Sequence, residues 1–208
     1  MDLTAFTAGL SLITVSELGD KTFFIAMYLA MKHSRSLVFS AATAALAAMT
    51  ILSVAMGRIA SFLPLPANLL HHAEIALFLG FGVKLIYDAA RMPKAISCDD
   101  VLEEAKEAVD KLEAENIKKN SPWAIWLEGF ILTFVAEWGD RTQLATISLA
   151  IKYHPLGVSV GAILGHAICA AIAVTCGKLI CGRISERQLT FIGGCLFILF
   201  GILAIFEK

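Results

Sequence analysis

The stretch SELGDKT, Ser16–Thr22, places two acids and a base inside an otherwise apolar segment, and AEWGDRT, Ala136–Thr142, does the same later in the chain. Sliding the sequence by 120 residues sets Glu17 on Glu137, Gly19 on Gly139, Asp20 on Asp140 and Thr22 on Thr142, with Lys21 on Arg141. Across Gly9–His33 and Gly129–Tyr153, ten of 25 positions are identical without a gap, where unrelated apolar helices would share only a few. The same offset pairs Val54 with Val174 and Gly57 with Gly177 in the following segment. The chain reads as a duplication.

Composition sets the solvent. The 208 residues are 58% hydrophobic and 17% charged, with a mean hydropathy of +0.74. Soluble domains run about 45–50% apolar with roughly a quarter charged. Here long apolar runs alternate with short charged patches, which predicts an all-α integral membrane protein forming one membrane domain. A net charge of −1 gives no footprint for nucleic acid. Asp2 stands where a signal peptide would carry a basic segment, so the first apolar segment is expected to stay as a transmembrane helix. Five cysteines, Cys98, Cys169, Cys176, Cys181 and Cys195, form an odd set without metal-type spacing. They are expected to be small membrane-core hydrophobes.

A bilayer core needs about 20 mainly apolar residues per helix. Six spans are predicted, at about 4–31, 37–62, 70–91, 122–151, 156–180 and 188–206. Pro64 and Pro66 close the second, and Ser121-Pro122-Trp123 opens the fourth with an N-cap, a proline at the first helical position and an interfacial tryptophan. Residues 1–91 then form a first three-helix repeat and 122–208 a second. The hydrophilic stretch 92–121 lies between them as a linker helix, with Asp99/Asp100 as cap candidates and an apolar stripe through Leu102, Ala105, Val109 and Leu112. A solvated connecting rod is the expected role of its eight acids, with cation sensing as the alternative.

An odd number of helices per repeat forces the two copies into opposite orientations, the inverted-repeat plan of many secondary transporters. Eleven lysines and arginines fall on the side of the linker and the 32–35 and 178–187 loops. The opposite side carries Arg58, Lys152 and Lys208. This bias places the linker in the cytoplasm and both termini outside.

An ionised acid at mid-bilayer costs about 2.5–3.5 kcal/mol, so four of them need a purpose. Spacing of i and i+3 sets Glu17 beside Asp20, and Glu137 beside Asp140, on one helix face. Gly19 and Gly139 allow either close helix approach or a local break that frees carbonyls. Inverted copies facing each other would form a cage of four carboxylates with the hydroxyls of Thr22 and Thr142. Gln143 could add an amide oxygen and Ser16 a hydroxyl. An all-oxygen set suits Ca²⁺, Mg²⁺ or Mn²⁺ rather than copper or zinc. Each motif holds two acids and one base, so the pair sums to −2 and matches one dication. Lys21 and Arg141, at i+4 from the glutamates, supply charge balance or gating; a purely neutralising salt bridge is the plain alternative. Crowded carboxylates cannot all stay ionised once the cation leaves, so protons are expected to compete with metal for the site. No cofactor is called for beyond the transported ion.

Other polar residues carry less. His166 replaces Leu46 of the first repeat and is either a proton relay or a hydrogen-bonded packing residue. His71, His72 and Glu74 fall at the outer interface, Lys84 and Asp88 read as an i, i+4 interface ion pair, and Trp123 and Trp126 belong to an aromatic belt.

The duplicated E-x-G-D-[KR]-[TS] element resembles the signature of the Gdt-type divalent-cation/proton exchangers, here as ELGDKT (Glu17–Thr22) and EWGDRT (Glu137–Thr142). The resemblance covers essentially the whole chain. It implies manganese or calcium transport by proton-coupled antiport, with export of manganese from the bacterial cytosol across the inner membrane, or loading of an organelle in a thylakoid-type setting. It also implies that Glu17, Asp20, Glu137 and Asp140, with Thr22 and Thr142 beside them, hold the ion. Two alternatives stand against it: a passive divalent-cation channel, and an intramembrane aspartyl protease, whose GxGD element would need glycine where Glu17 and Glu137 stand.

Overall fold

A glycine in the left-handed region ends a helix cheaply because it has no Cβ, and an aspartate just after it is a preferred cap for the next one. Both motifs use this pair. In a computed structural model that describes residues 3–64, 66–92, 98–115, 121–180 and 186–206, all regular structure among those residues is α-helical. The order is α1 (Leu3–Glu17), α2 (Lys21–Lys32), α3 (Arg35–Phe62), α4 (Ala67–Arg91), α5 (Cys98–Glu115), α6 (Pro122–Ala136), α7 (Arg141–Lys152), α8 (Pro155–Ile180) and α9 (Glu186–Phe206). The segments expected as single helices at 4–31 and 122–151 are each two half-helices, broken at the motif. Gly19 has φ 81° and Gly139 φ 80°, the positive-φ residues among those described. Asp20 and Asp140 are the N-caps of α2 and α7 in matching extended geometry, with φ −79° and ψ 172° against φ −76° and ψ 175°.

Among the described residues, four helices are long and apolar enough to cross a membrane: Arg35–Phe62, Asn68–Arg91, Pro155–Thr175 and Arg187–Phe206. The apolar helices α1 and α6 are shorter. The exterior is apolar in the way a lipid-facing surface must be, with Phe62, Val83, Phe191, Leu199 and Phe206 all exposed. Ser121 caps α6 through its backbone alone, followed by Pro122. Trp123 and Trp126 stack at 5.2 Å on its outer face, and the Trp126 indole donates to Ser40 Oγ.

Packing follows small residues. Helix α1 lies against α8, where Gly9 meets the backbone of Val158 and Gly161 meets that of Phe6. Helix α4 lies against α9: a Cβ on Gly82 would strike Ile198, and one on Gly201 would strike Leu79. Such close backbone approach is the main source of helix adhesion where lipid is as apolar as the helix surface. Helix α3 is central and contacts α6, α7 and α8.

Helix α5 is described from Cys98, and the side chains of the cap candidates Asp99 and Asp100 lie outside the described residues. It docks on α2: Ala105 and Val109 are buried in the cluster built around Phe23, Phe24 and Met27. Asp110 accepts from Lys32 Nζ at 3.0 Å and from the Tyr28 hydroxyl at 3.3 Å. The Lys32 hydrogen bond holds the Asp110 carboxyl below its usual range. The linker is therefore a strut fixed to a motif-bearing helix, not only a solvated rod. Of the cysteines, Cys169 is buried and Cys195 exposed. The side chains of Cys98 and Cys176, and Cys181 itself, lie outside the described residues.

Candidate functional site

Both helix breaks meet at one point. Ligand atoms of Glu17, Asp20 and Glu137 all lie within 4.8 Å of one another. Glu17 and Glu137 are each only 2% exposed, and Glu17 Oε1 is buried without a hydrogen-bond partner among the described atoms. Thr22 donates to Glu17 Oε2 at 3.4 Å, and Thr142 lies 3.5 Å from Glu137 Oε2. Each hydroxyl also faces the glutamate of the other motif. The N-termini of α2 and α7 point into this region with their positive dipole ends, which favours anionic side chains there.

Asp140 is arranged differently from its counterpart. Its carboxylate accepts from the backbone N–H groups of Gln143 at 2.7 Å and Thr142 at 3.1 Å, and from Thr142 Oγ1 at 2.7 Å. It is thus turned onto its own helix, outside the group of three. Asp20 makes no such cap. Its Oδ1 instead pairs with Arg141 of the other motif at 3.4 Å, and Arg141 Nη2 also donates to the Ser16 carbonyl at 3.3 Å. The expected intrahelical Glu137–Arg141 pairing gives way to a link between the motifs, because the break removes the i, i+4 geometry it required.

Gln143 Oε1 accepts from Gly139 N–H at 2.7 Å, and its amide nitrogen contacts Met49 Sδ at 3.1 Å. That amide therefore fixes the second turn rather than offering a free oxygen. Ser16 is buried and its hydroxyl lacks a partner among the described atoms. His166 is buried with Nδ1 unpartnered among the described atoms, and it stands outside the carboxylate group. Gly19 is covered by Leu189 of α9, which a Cβ would strike, whereas Gly139 has nothing within 4 Å.

A cavity of about 330 Å³ adjoins the site. Asp20, Glu137 and Asp140 line it, and so do Lys84 and Asp88 of α4. Among the described residues Lys84 and Asp88 form no ion pair, in place of the interface bridge expected from their spacing. The involvement of α4 and α9 has no local sequence signal, since both reach the motifs only through tertiary packing.

The family model "Divalent cation/proton antiporter GDT1" matches residues 5–93 and 125–208. A GDT1-like protein of Synechocystis sp. is 56% identical over 206 residues, covering 99% of this chain and 98% of its own length. GDT1-like protein 3 of Oryza sativa is 41% identical over 208 residues, covering 97% of this chain and 74% of the relative. A protein of Arabidopsis thaliana named "PAM71-homolog, chloroplastic" is 40% identical over 216 residues, covering 98% of this chain and 59% of that protein. No solved structure matches the chain.

Proposed function

Since the chain belongs to the GDT1 family of divalent cation/proton antiporters, membrane transporters rather than enzymes, we propose that it exports Mn²⁺ from the cytoplasm in exchange for protons, with Ca²⁺ as a second cargo, through the site where the two motifs meet. The observation that carries this reading is the group of Glu17, Asp20 and Glu137, with oxygens from both motifs inside 4.8 Å and Glu17 Oε1 left without a partner among the described atoms. Oxygens on opposite sides of a bound Ca²⁺ stand about 4.6–5.2 Å apart, so the group has the span of one dication. Three carboxylates and the hydroxyls of Thr22 and Thr142 make an all-oxygen donor set, which suits hard divalent cations such as Mn²⁺ and Ca²⁺.

The transport cycle follows from charge. Arg141, paired with Asp20, competes with the dication for that carboxylate, and protons compete with it at the glutamates. An arriving dication displaces both. Alternating access comes from two inverted three-helix repeats moving against each other across a six-span bundle. The matched breaks at Gly19 and Gly139 support this, as do the reciprocal contacts of Gly82 with Ile198 and Gly201 with Leu79, which exchange under a shift of 119 residues. Both termini would lie outside and the linker in the cytoplasm.

The test is purified protein in vesicles with a pH dye inside, offered Mn²⁺, Ca²⁺ and Mg²⁺ in turn. Antiport moves metal with an opposing pH change; a channel moves metal without one. Asp20→Asn and Glu137→Gln should abolish transport while the protein still inserts, and wild-type rates in either variant would refute the site.

A further inference from the structure

Two chambers adjoin the site, and both touch Asp88. The larger, about 330 Å³, has Asp88 and Lys84 of α4 on one wall and Asp20, Glu137 and Asp140 on the other. The smaller, about 90 Å³, runs past Asp20, Asp88 and Met92 to Leu189 and Thr190 at the start of α9. Arg141 and Asp20, the linked pair between the motifs, line both. Met92 closes α4 just before residues 93–97, and α9 begins at Glu186, just after residues 181–185. The chambers therefore lead from the carboxylate group toward the linker side of the protein.

The asymmetry of the two halves explains why the opening is on this side. Helix α1 packs on α9, and Leu189 covers Gly19. Helix α6, which carries the second motif, makes no comparable contact with α4, and Gly139 is open. The gap between α4 and α6 is the vestibule. Asp88 is half-buried on its wall, and among the described residues no cation neutralises it. An unneutralised carboxylate on the wall of a cavity that leads to the site raises the local concentration of cations, while Lys84 one turn away keeps the attraction shallow enough for release.

We propose that Asp88 is a relay ligand on the linker-side access path, which captures the hydrated dication and passes it to Asp20 as Arg141 lets go. This rests on the antiporter reading above. It assigns to α4, outside both motifs, a residue that sets how well the transporter takes up its ion from one side only.

Vesicles with protein orientation sorted by protease cleavage in the linker give the test. Asp88→Asn should raise the Mn²⁺ KM on the linker side by about three- to tenfold, flatten its dependence on ionic strength and leave kcat within about twofold. The KM on the opposite face should not change, and Asp88→Glu should restore wild-type behaviour. Equal shifts on both faces, a fall in kcat alone, no shift at all, or failure of Asp88→Glu to rescue would each overturn the assignment. A wild-type protein that moves no Mn²⁺ would instead bring down the antiporter reading itself, and the relay with it.

Discussion

Alanine at Gly19 and at Gly139 should have unequal effects, although the two positions match in sequence and in φ. Each substitution forces an L-residue into left-handed backbone, at about 1–2 kcal/mol. At Gly139 nothing else opposes the methyl group, because no heavy atom lies within 4 Å of its site. At Gly19 the methyl also collides with Leu189 Cδ1, while Leu189 Cβ and Cγ stand 3.6 Å away. The atom struck is the tip of a half-buried leucine that can turn aside, so overpacking adds about 1 kcal/mol, the low end of its range, and Gly19→Ala should destabilise by roughly 2–3 kcal/mol in all. The extra part belongs to one contact and can be isolated by a double-mutant cycle. Gly19→Ala with Leu189→Ala should couple by about 1 kcal/mol, whereas Gly139→Ala with Leu189→Ala should be additive within about 0.5 kcal/mol. Unfolding by SDS titration in mixed micelles, followed by tryptophan fluorescence, measures all five variants. Equal losses for the two glycine variants, or no coupling to Leu189, would refute the claim that α9 seals the first break and leaves the second open.

Two further outcomes are expected. Arg141→Gln removes the residue that competes with the ion for Asp20, so the apparent Mn²⁺ KM should fall by about tenfold while kcat also falls, and a raised KM in vesicle assays would contradict displacement of Arg141 by the ion. Asp110→Asn breaks the tie between α5 and the end of α2, so amide exchange over residues 102–110 should quicken, with Glu103→Gln, an exposed neighbour, leaving it unchanged.

Much of the site could be read from two short motifs, and the reason is local chemistry. Glu17, Gly19 and Asp20 carry the charge, the left-handed turn and the cap, and each role belongs to the residue type itself. The i, i+4 reading of Glu137 and Arg141 assumed an unbroken helix, and Gly139-Asp140 already held the signal against it. The pairing of α4 with α9 was hidden for a different reason. Leu77, Phe78, Phe81 and Gly82 align with Leu196, Phe197, Phe200 and Gly201 only at an offset of 119, so the 120-residue register that reveals the motifs conceals the last helix of each half.

The difference between the copies has two sources. Asp20 reaches Arg141 and the carboxylate group, whereas Asp140 folds back onto Thr142 and Gln143. Residue type explains part of this, because Lys21 stands where the second motif has Arg141 and Phe23 where it has Gln143; position in the bundle supplies the rest. Leu189 presses on the first turn, and the vestibule opens beside the second. Two equal motifs around a path open to one side cannot have equal surroundings, because a fully symmetric arrangement would be open to both sides or to neither. On the proposed antiporter cycle, exchanging the roles of Asp20 and Asp140 would move the opening to the other face. The duplication would then supply the ligands, and the departure from symmetry the direction.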